Sequence, residues 1–204
     1  GLEMERIDVT GVLGALHYMI LDEAIVITKC DELDSTILEV PSQIEGYRVT
    51  TINDSVFSSC GDLVSVTIPS TVVTIGDGAF SGCTNLYRDE NGVQYESAAK
   101  VVLIDVPKSV MGEFVIPNTV RFIHTSAFSG CSGLTSVIIP SNVTSIGSSA
   151  FDTITVGKCN AVFSQFSKIA GFPLYKLEGF FVKLYVLFHN CSHQVSFLSR
   201  SYGQ

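Results

Sequence analysis

Tryptophan is absent from the 204 residues, methionine occurs three times, and only 16% of the side chains are charged. Basic charge is the scarcer sign, with 12 Lys and Arg against 20 Asp and Glu and a formal net charge of −8. A chain so short of basic side chains cannot neutralise a phosphate backbone, which sets nucleic-acid partners aside. Long apolar runs are also missing. The richest stretch, 174–188, is interrupted by Lys176, Glu178 and Lys183, so nothing approaches the roughly 20 residues of a spanning helix. No charged start with an apolar core precedes Leu13, so a secretion leader is expected to be removed or to lie outside these residues. The G-x-S-x-G elbow, the P-loop, the G-x-G-x-x-G fingerprint and the H-E-x-x-H pair do not occur. No cofactor and no catalytic constellation is therefore implied, and an enzyme is not expected. What remains, 46% hydrophobic residues with little charge, is enough to fold and bury a core.

The positive signal is repetition. Phe57, Phe80, Phe128 and Phe151 are separated by 23, 48 and 23 residues. Cys60, Cys83 and Cys131 keep the first two of those steps, and Ile52, Ile75, Ile123 and Ile146 keep all three. The clearest copies are LVSVTIPSTVVTIGDGAFSGC from Leu63 and LTSVIIPSNVTSIGSSAF from Leu134, with VIPNTVRFIHTSAFSGC from Val115 between them. An earlier copy from Leu38 carries five extra residues between its Pro and the first Val of its second apolar group. Four positions locked to one period dictate a repeat architecture.

Each unit reads as two short strands joined by turns. Leu63, Val66 and Ile68 are β-formers, and Pro69 ends the strand because it has no N–H to give a ladder. Val72 and Ile75 form a second inward group. The next position holds Asn53, Gly76, His124 and Gly147, residue types enriched at positive φ, which predicts a left-handed turn there. Ala79 and Phe80 close the coil, the ring filling the interior. One coil cannot bury such a ribbon, so coils must stack, about 4.8 Å apart. Four or five coils would make a section roughly 20–25 Å long.

The pattern L-x-x-V-x-I-P-S-x-V-x-x-I-G-x-x-A-F-S-G-C resembles the BspA-type leucine-rich repeat over residues 33–151. LHYMILDEAIVIT, before the first coil, and NGVQYESAAKVVLIDVPKSVMGEFVIP, between the second and the next, are similar to that family as well. The resemblance implies a β-rich solenoid, right-handed, with short parallel strands. It also implies an extracellular or cell-surface setting and a role in adhesion and protein binding. The expected organisation is a hairpin cap at 1–32 turning near Leu21–Ala24, repeats at 33–151 with an inserted hairpin at about 86–113, and a distinct segment at 152–204. Asn91-Gly92 suits a type I′ turn in the insertion.

Extending the 23-residue step past Phe151 places Ile154 where Cys belongs and Pro173 at the Ala position. The charge also changes: residues 152–204 hold five Lys and Arg against two Asp and Glu, leaving 7 − 18 = −11 for 1–151. The segment reads either as a divergent C-terminal cap, which an open sheet edge requires, or as a truncated or frame-shifted end.

The six cysteines, Cys30, Cys60, Cys83, Cys131, Cys159 and Cys191, are too sparse for a disulfide-stapled scaffold. Three recur at one point of the coil, where a small buried residue suits a tight turn better than a thiol ladder or a metal site. His189, Cys191 and His193 alternate, as one face of a strand would place metal ligands, but without a fourth partner. Asp31, Glu32 and Asp34 read as a polar turn rather than a calcium loop.

Two functions from different classes remain. One is a binding module that presents its strand face to a protein or glycan, and the other is a spacer within a longer surface protein. The repeat register predicts two outward columns: Glu39, Thr67, Val115 and Ile138, beside Ile37, Ser65, Glu113 and Ser136. Glu39, Ser65, Thr67, Glu113, Val115, Ser136 and Ile138 are the candidate binding residues, flanked by the hairpin near Tyr87–Tyr95. Their charge favours a partner with basic patches.

Overall fold

The structure, a computed structural model, describes residues 9–151 and the backbone of 160–163. It is a β-solenoid of about five turns, with no helix among the described residues. It begins with an antiparallel meander, β1 (Val9–Leu13), β2 (Leu16–Leu21) and β3 (Ala24–Cys30). Gly14, at φ +59°, makes the first turn, and Asp22 and Glu23, at φ +48° and +62°, make the second. Both central residues left-handed is the type I′ geometry that matches the strand twist. β4 (Ile37–Glu39) opens the first coil, followed by β5 (Gln43–Ile44) and β6 (Tyr47–Ile52). The five extra residues of this copy are the β5–β6 hairpin, turned at Glu45 and Gly46. β6 pairs in parallel with β3, which converts the meander into a solenoid.

The later coils repeat one plan except the third, whose two strands pair antiparallel with each other. β7 (Ser65–Thr67) and β8 (Thr74–Ile75) form the second coil. β9 (Gln94–Tyr95) and β10 (Val102–Asp105) form the third, β11 (Gly112–Val115) and β12 (Phe122–Ile123) the fourth. β13 (Leu134–Ile139), β14 (Ser145–Ile146) and β15 (Asn160–Phe163) continue it. β4 and β7 pair in parallel, as do β11, β13 and β15; the second strands of the coils pair as β3–β6–β8 and β10–β12–β14. β15 lies 24 residues after β13, with Ser136 opposite Asn160. The ladder thus runs past Phe151, and a search at a step of 23 is out of register with it by one residue.

After β7, β11 and β13 the proline carbonyl closes a turn. Pro69, Pro117 and Pro140 accept from the N–H of Val72, Val120 and Val143 at 3.0–3.2 Å. Phe57, Phe80 and Phe128 are at most 2% exposed. Phe57 and Phe80 lie 5.1 Å apart between ring centroids, and Phe128 and Phe151 lie 4.8 Å apart.

Two local expectations need correction. Positive φ occurs not at Asn53, Gly76, His124 and Gly147 but two residues later, at Ser55, Gly78, Ser126 and Ser149. Gly76 and Gly147 answer a different demand, the close approach of neighbouring coils. A Cβ on Gly76 would stand 2.5 Å from the Asp54 amide nitrogen, and one on Gly147 would strike the Thr125 amide. Asn53 and His124 follow coils that have no equivalent turn, and there a side chain fits. The Asn91-Gly92 turn is not type I′ either, since only Gly92 is left-handed, at φ +77°. The Asp89 carboxylate accepts from the Asn91 and Val93 amides at 3.0 Å, and the Asp89 carbonyl accepts from Gly92 at 2.9 Å. Those bonds favour a type I turn followed by a left-handed glycine.

The close-approach reading makes a direct prediction. Gly76→Ala lowers the unfolding free energy by about 1–3 kcal/mol because backbone must move. Gly61→Ala, whose added methyl would meet nothing nearer than 3.6 Å, costs less than about 0.5 kcal/mol. Urea denaturation of both variants measures the difference, and equal costs would contradict the reading.

Candidate binding surface

The short strands place alternate side chains on opposite faces. Leu38, Val66 and Val137 point inward and are buried, while their neighbours face out. Register aligns Ile37 with Ser65 and Glu39 with Thr67. In the later sheet it aligns Glu113 with Ser136 and Val115 with Ile138. These are the column pairs that aligning the repeats gives, once the five extra residues of the first copy are counted. Glu39, Thr67, Glu113 and Val115 are exposed, and Ser65, Ser136 and Ile138 are half-buried. The Ser136 hydroxyl donates to the Glu113 carboxylate at 3.3 Å.

The columns are not continuous. β7 is followed on the ladder by the backbone of Glu96, whose carbonyl accepts from the Val66 N–H at 2.8 Å, so β4–β7 and β11–β13–β15 are separate sheets. Gln94 to Ser97 are all buried here. The Glu96 carboxylate is wholly buried, yet it accepts from the Val101 and Val102 amides at 2.9 and 2.7 Å and from the Ser97 hydroxyl at 2.9 Å. Desolvation raises its pKa and those donors oppose the rise. The carboxylate thus pins the 96–102 loop from inside. Ile37, Glu39, Ser65 and Thr67 form one patch, and Glu113, Val115, Ser136 and Ile138 form another.

The flanking hairpin presents less than its sequence suggests. Tyr95 is 1% exposed, with its pKa raised by burial and the Lys100 ammonium 5.0 Å from its ring centroid. Lys100 also pairs with Asp89 at 3.1 Å. Exposed apolar residues border both patches: Val64 at 41% beside the first, and Met111 at 76% just before β11. Met111 stands outside the repeat pattern, and only its place beside a strand start could have marked it.

The cysteine column belongs to the packing. Cys30, Cys60, Cys83 and Cys131 are buried and free of disulfides. The Cys83 thiol donates to the Phe57 carbonyl at 3.1 Å and the Cys131 thiol to the Val106 carbonyl at 3.3 Å, one coil back in each case. Cys60 reaches the Asp31 carbonyl at 3.6 Å. Burial pushes Cys30 and Cys83 up to about 12 and raises Cys131, so none of these three supplies a thiolate at neutral pH.

Asp31 is held below the usual carboxylate range by Lys29 and His17, each 2.6 Å away. It is committed to that ion cluster, and among the described residues no three potential metal ligands gather. His189, Cys191 and His193 lie outside the described residues, as does Cys159.

The chain matches the family described as BspA type Leucine rich repeat region in six copies, over residues 30–93 and 108–173. Among solved structures it is similar to a leucine-rich repeat protein of T. pallidum, with 28% identity over 67% of this chain and 64% of that one and a TM-score of 0.42. It is similar to a leucine rich cell surface protein of Faecalibacterium prausnitzii, with 20% identity over 78% and 55% and a TM-score of 0.36. A leucine-rich repeat protein of Bacteroides ovatus shares 24% identity over 69% and 38%, with a TM-score of 0.41. The chain spans less than two thirds of the length of each of these proteins. No curated protein matches it.

The thiol assignment has a clean chemical test. In the folded protein at neutral pH, alkylation followed by mass spectrometry leaves Cys30, Cys60, Cys83 and Cys131 unmodified. In urea without reductant all four react. Protection that survives unfolding would mean disulfides and would reject the packing account.

Proposed function

Because the chain belongs to the BspA-type leucine-rich repeat family, we propose that it is a non-catalytic binding module of a cell-surface or secreted protein. The observation that carries this reading is the pair of outward strand patches. Each combines a glutamate, one or two hydroxyl side chains and exposed aliphatic surface on a backbone held by its ladder. Such patches are shallow, and they suit a partner laid across them better than a small substrate, which prefers a deep pocket. Glu39 and Glu113 supply charge; Ser65, Thr67 and Ser136 supply hydrogen bonding; Ile37, Val115 and Ile138 supply apolar contact.

The partner that fits is a protein segment carrying basic residues among apolar ones, with a glycan as the second class. The net charge of −11 over residues 1–151 steers such a partner in and makes the association rate fall with salt. The setting at the cell exterior follows the family. The buried thiols are compatible with it, since a thiol covered from solvent resists oxidation.

The test is the triple variant Glu39→Ala, Glu113→Ala and Ile138→Ala, with folding verified by circular dichroism. A panel of immobilised matrix proteins and glycans identifies the strongest binder of the unaltered chain at low and physiological salt. The variant is expected to bind that panel member at least about tenfold more weakly, equivalent to about 1.4 kcal/mol. Unaltered binding would favour the spacer reading, in which the coils only extend a longer protein.

A further inference from the structure

The described core consists of two buried clusters that meet at β10 and β12. Val102, Ile104 and Phe122 belong to one, and Leu103, Val106 and Ile123 to the other. Where these halves adjoin, the third coil lacks the turn that its neighbours have. Elsewhere the phenylalanine amide of a turn donates to the alanine carbonyl of the next coil, Phe57 to Ala79 and Phe128 to Ala150, both at 2.9 Å. The Phe80 amide has no such carbonyl above it. It donates to Nε2 of His124, 44 residues on, at 3.2 Å.

That bond fixes the state of the ring. Nδ1 lies 3.1 Å from the Thr125 carbonyl oxygen, which can only accept, so Nδ1 carries the proton and Nε2 keeps its lone pair. His124 is 9% exposed, with the Phe80 ring centroid 6.1 Å away. We propose that His124 is an acid-operated latch: a proton taken from solvent at Nε2 turns the acceptor into a donor, displaces the Phe80 amide and opens the seam between the 76–83 and 124–131 turns.

The charges around the ring are few. Asp77 faces it from the 76–83 turn and favours the imidazolium, but its oxygens are engaged by the Thr125 hydroxyl at 2.9 Å and by Ser148 at 2.7 and 3.1 Å. β10, bonded to the His124 amide through the Leu103 carbonyl, brings apolar side chains, with Asp105 at its far end. Arg121, on the same coil as His124, turns its guanidinium to the Val72 carbonyl. From the next coil come Ser145 and Gly147, which carry no charge. Desolvation is the larger effect and holds His124 below the ordinary histidine value of 6.5. The opened form therefore binds the proton more readily, and the latch is closed above about pH 6.5. As pH falls below that value, each unit raises the opening equilibrium constant by up to about tenfold, until the pKa of the closed form is reached.

Amide hydrogen exchange by NMR on the full chain, from pH 7.5 to 5 and corrected for intrinsic exchange at each pH, is the test. Phe80 protection is expected to fall up to about tenfold per unit below pH 6.5 while Phe57 protection holds. In His124→Gln, whose amide oxygen can accept the same N–H without titrating, the fall should vanish. Constant Phe80 protection, an equal fall at Phe57, or the same fall in the variant would each overturn the proposal. Should the variant not fold, the ring titration of the unaltered protein decides: a midpoint below 6.5 supports the latch, and one at or above 6.5 overturns it.

Discussion

The backbone ladder between coils constrains everything else in this molecule. Every N–H that a coil turns toward its neighbour must find a carbonyl across a gap of about 4.8 Å, because a buried unpaired amide costs as much as a lost hydrogen bond. The spacing leaves room for the edge of a phenylalanine ring and for a thiol that donates to the carbonyl behind it. It leaves no room for a Cβ at Gly76 or Gly147, where backbone meets backbone. The repeating residues are thus answers to one demand, and the interior rings, small alanines and free cysteines share the same cause.

The third coil shows what happens when the ladder is incomplete. Its turn is missing, so the second and fourth coils must satisfy each other with side chains. His124 accepts from Phe80, Arg121 donates to the Val72 carbonyl, and the Thr125 hydroxyl donates to Asp77. In the same coil, Glu96 replaces ladder carbonyls with its own carboxylate. Among the described residues the buried polar side chains, Gln94, Glu96, Ser97 and His124, lie where this regularity lapses, which is also where the outward strand face divides into two patches.

This division explains how much was legible beforehand. The 23-residue step, lengthened by five residues in the first copy, fixes the coil, the interior phenylalanines and the pairing of Glu39 with Thr67 and of Val115 with Ile138, because period and register are the same quantity in a parallel ladder. Residue type misplaces the left-handed position because glycine serves two purposes, and at Gly76 and Gly147 it marks close approach; the turn itself falls on Ser55, Gly78, Ser126 and Ser149, and serine carries no such signal. His124 looked like an ordinary turn residue because nothing local announces that the preceding coil lacks a turn. Tyr95 looked like surface because its burial depends on how the insertion folds back, and β15 was hidden by a step of 24.

The account stands on physical stacking of successive coils through their interior rings. A double-mutant cycle on Phe57 and Phe80, whose centroids lie 5.1 Å apart, tests it most directly. Unfolding free energies of Phe57→Ala, Phe80→Ala and the double variant are expected to reveal a coupling of about 0.5–1.5 kcal/mol. Effects that add to within about 0.3 kcal/mol would mean that the two coils do not touch through these rings, and would contradict the account.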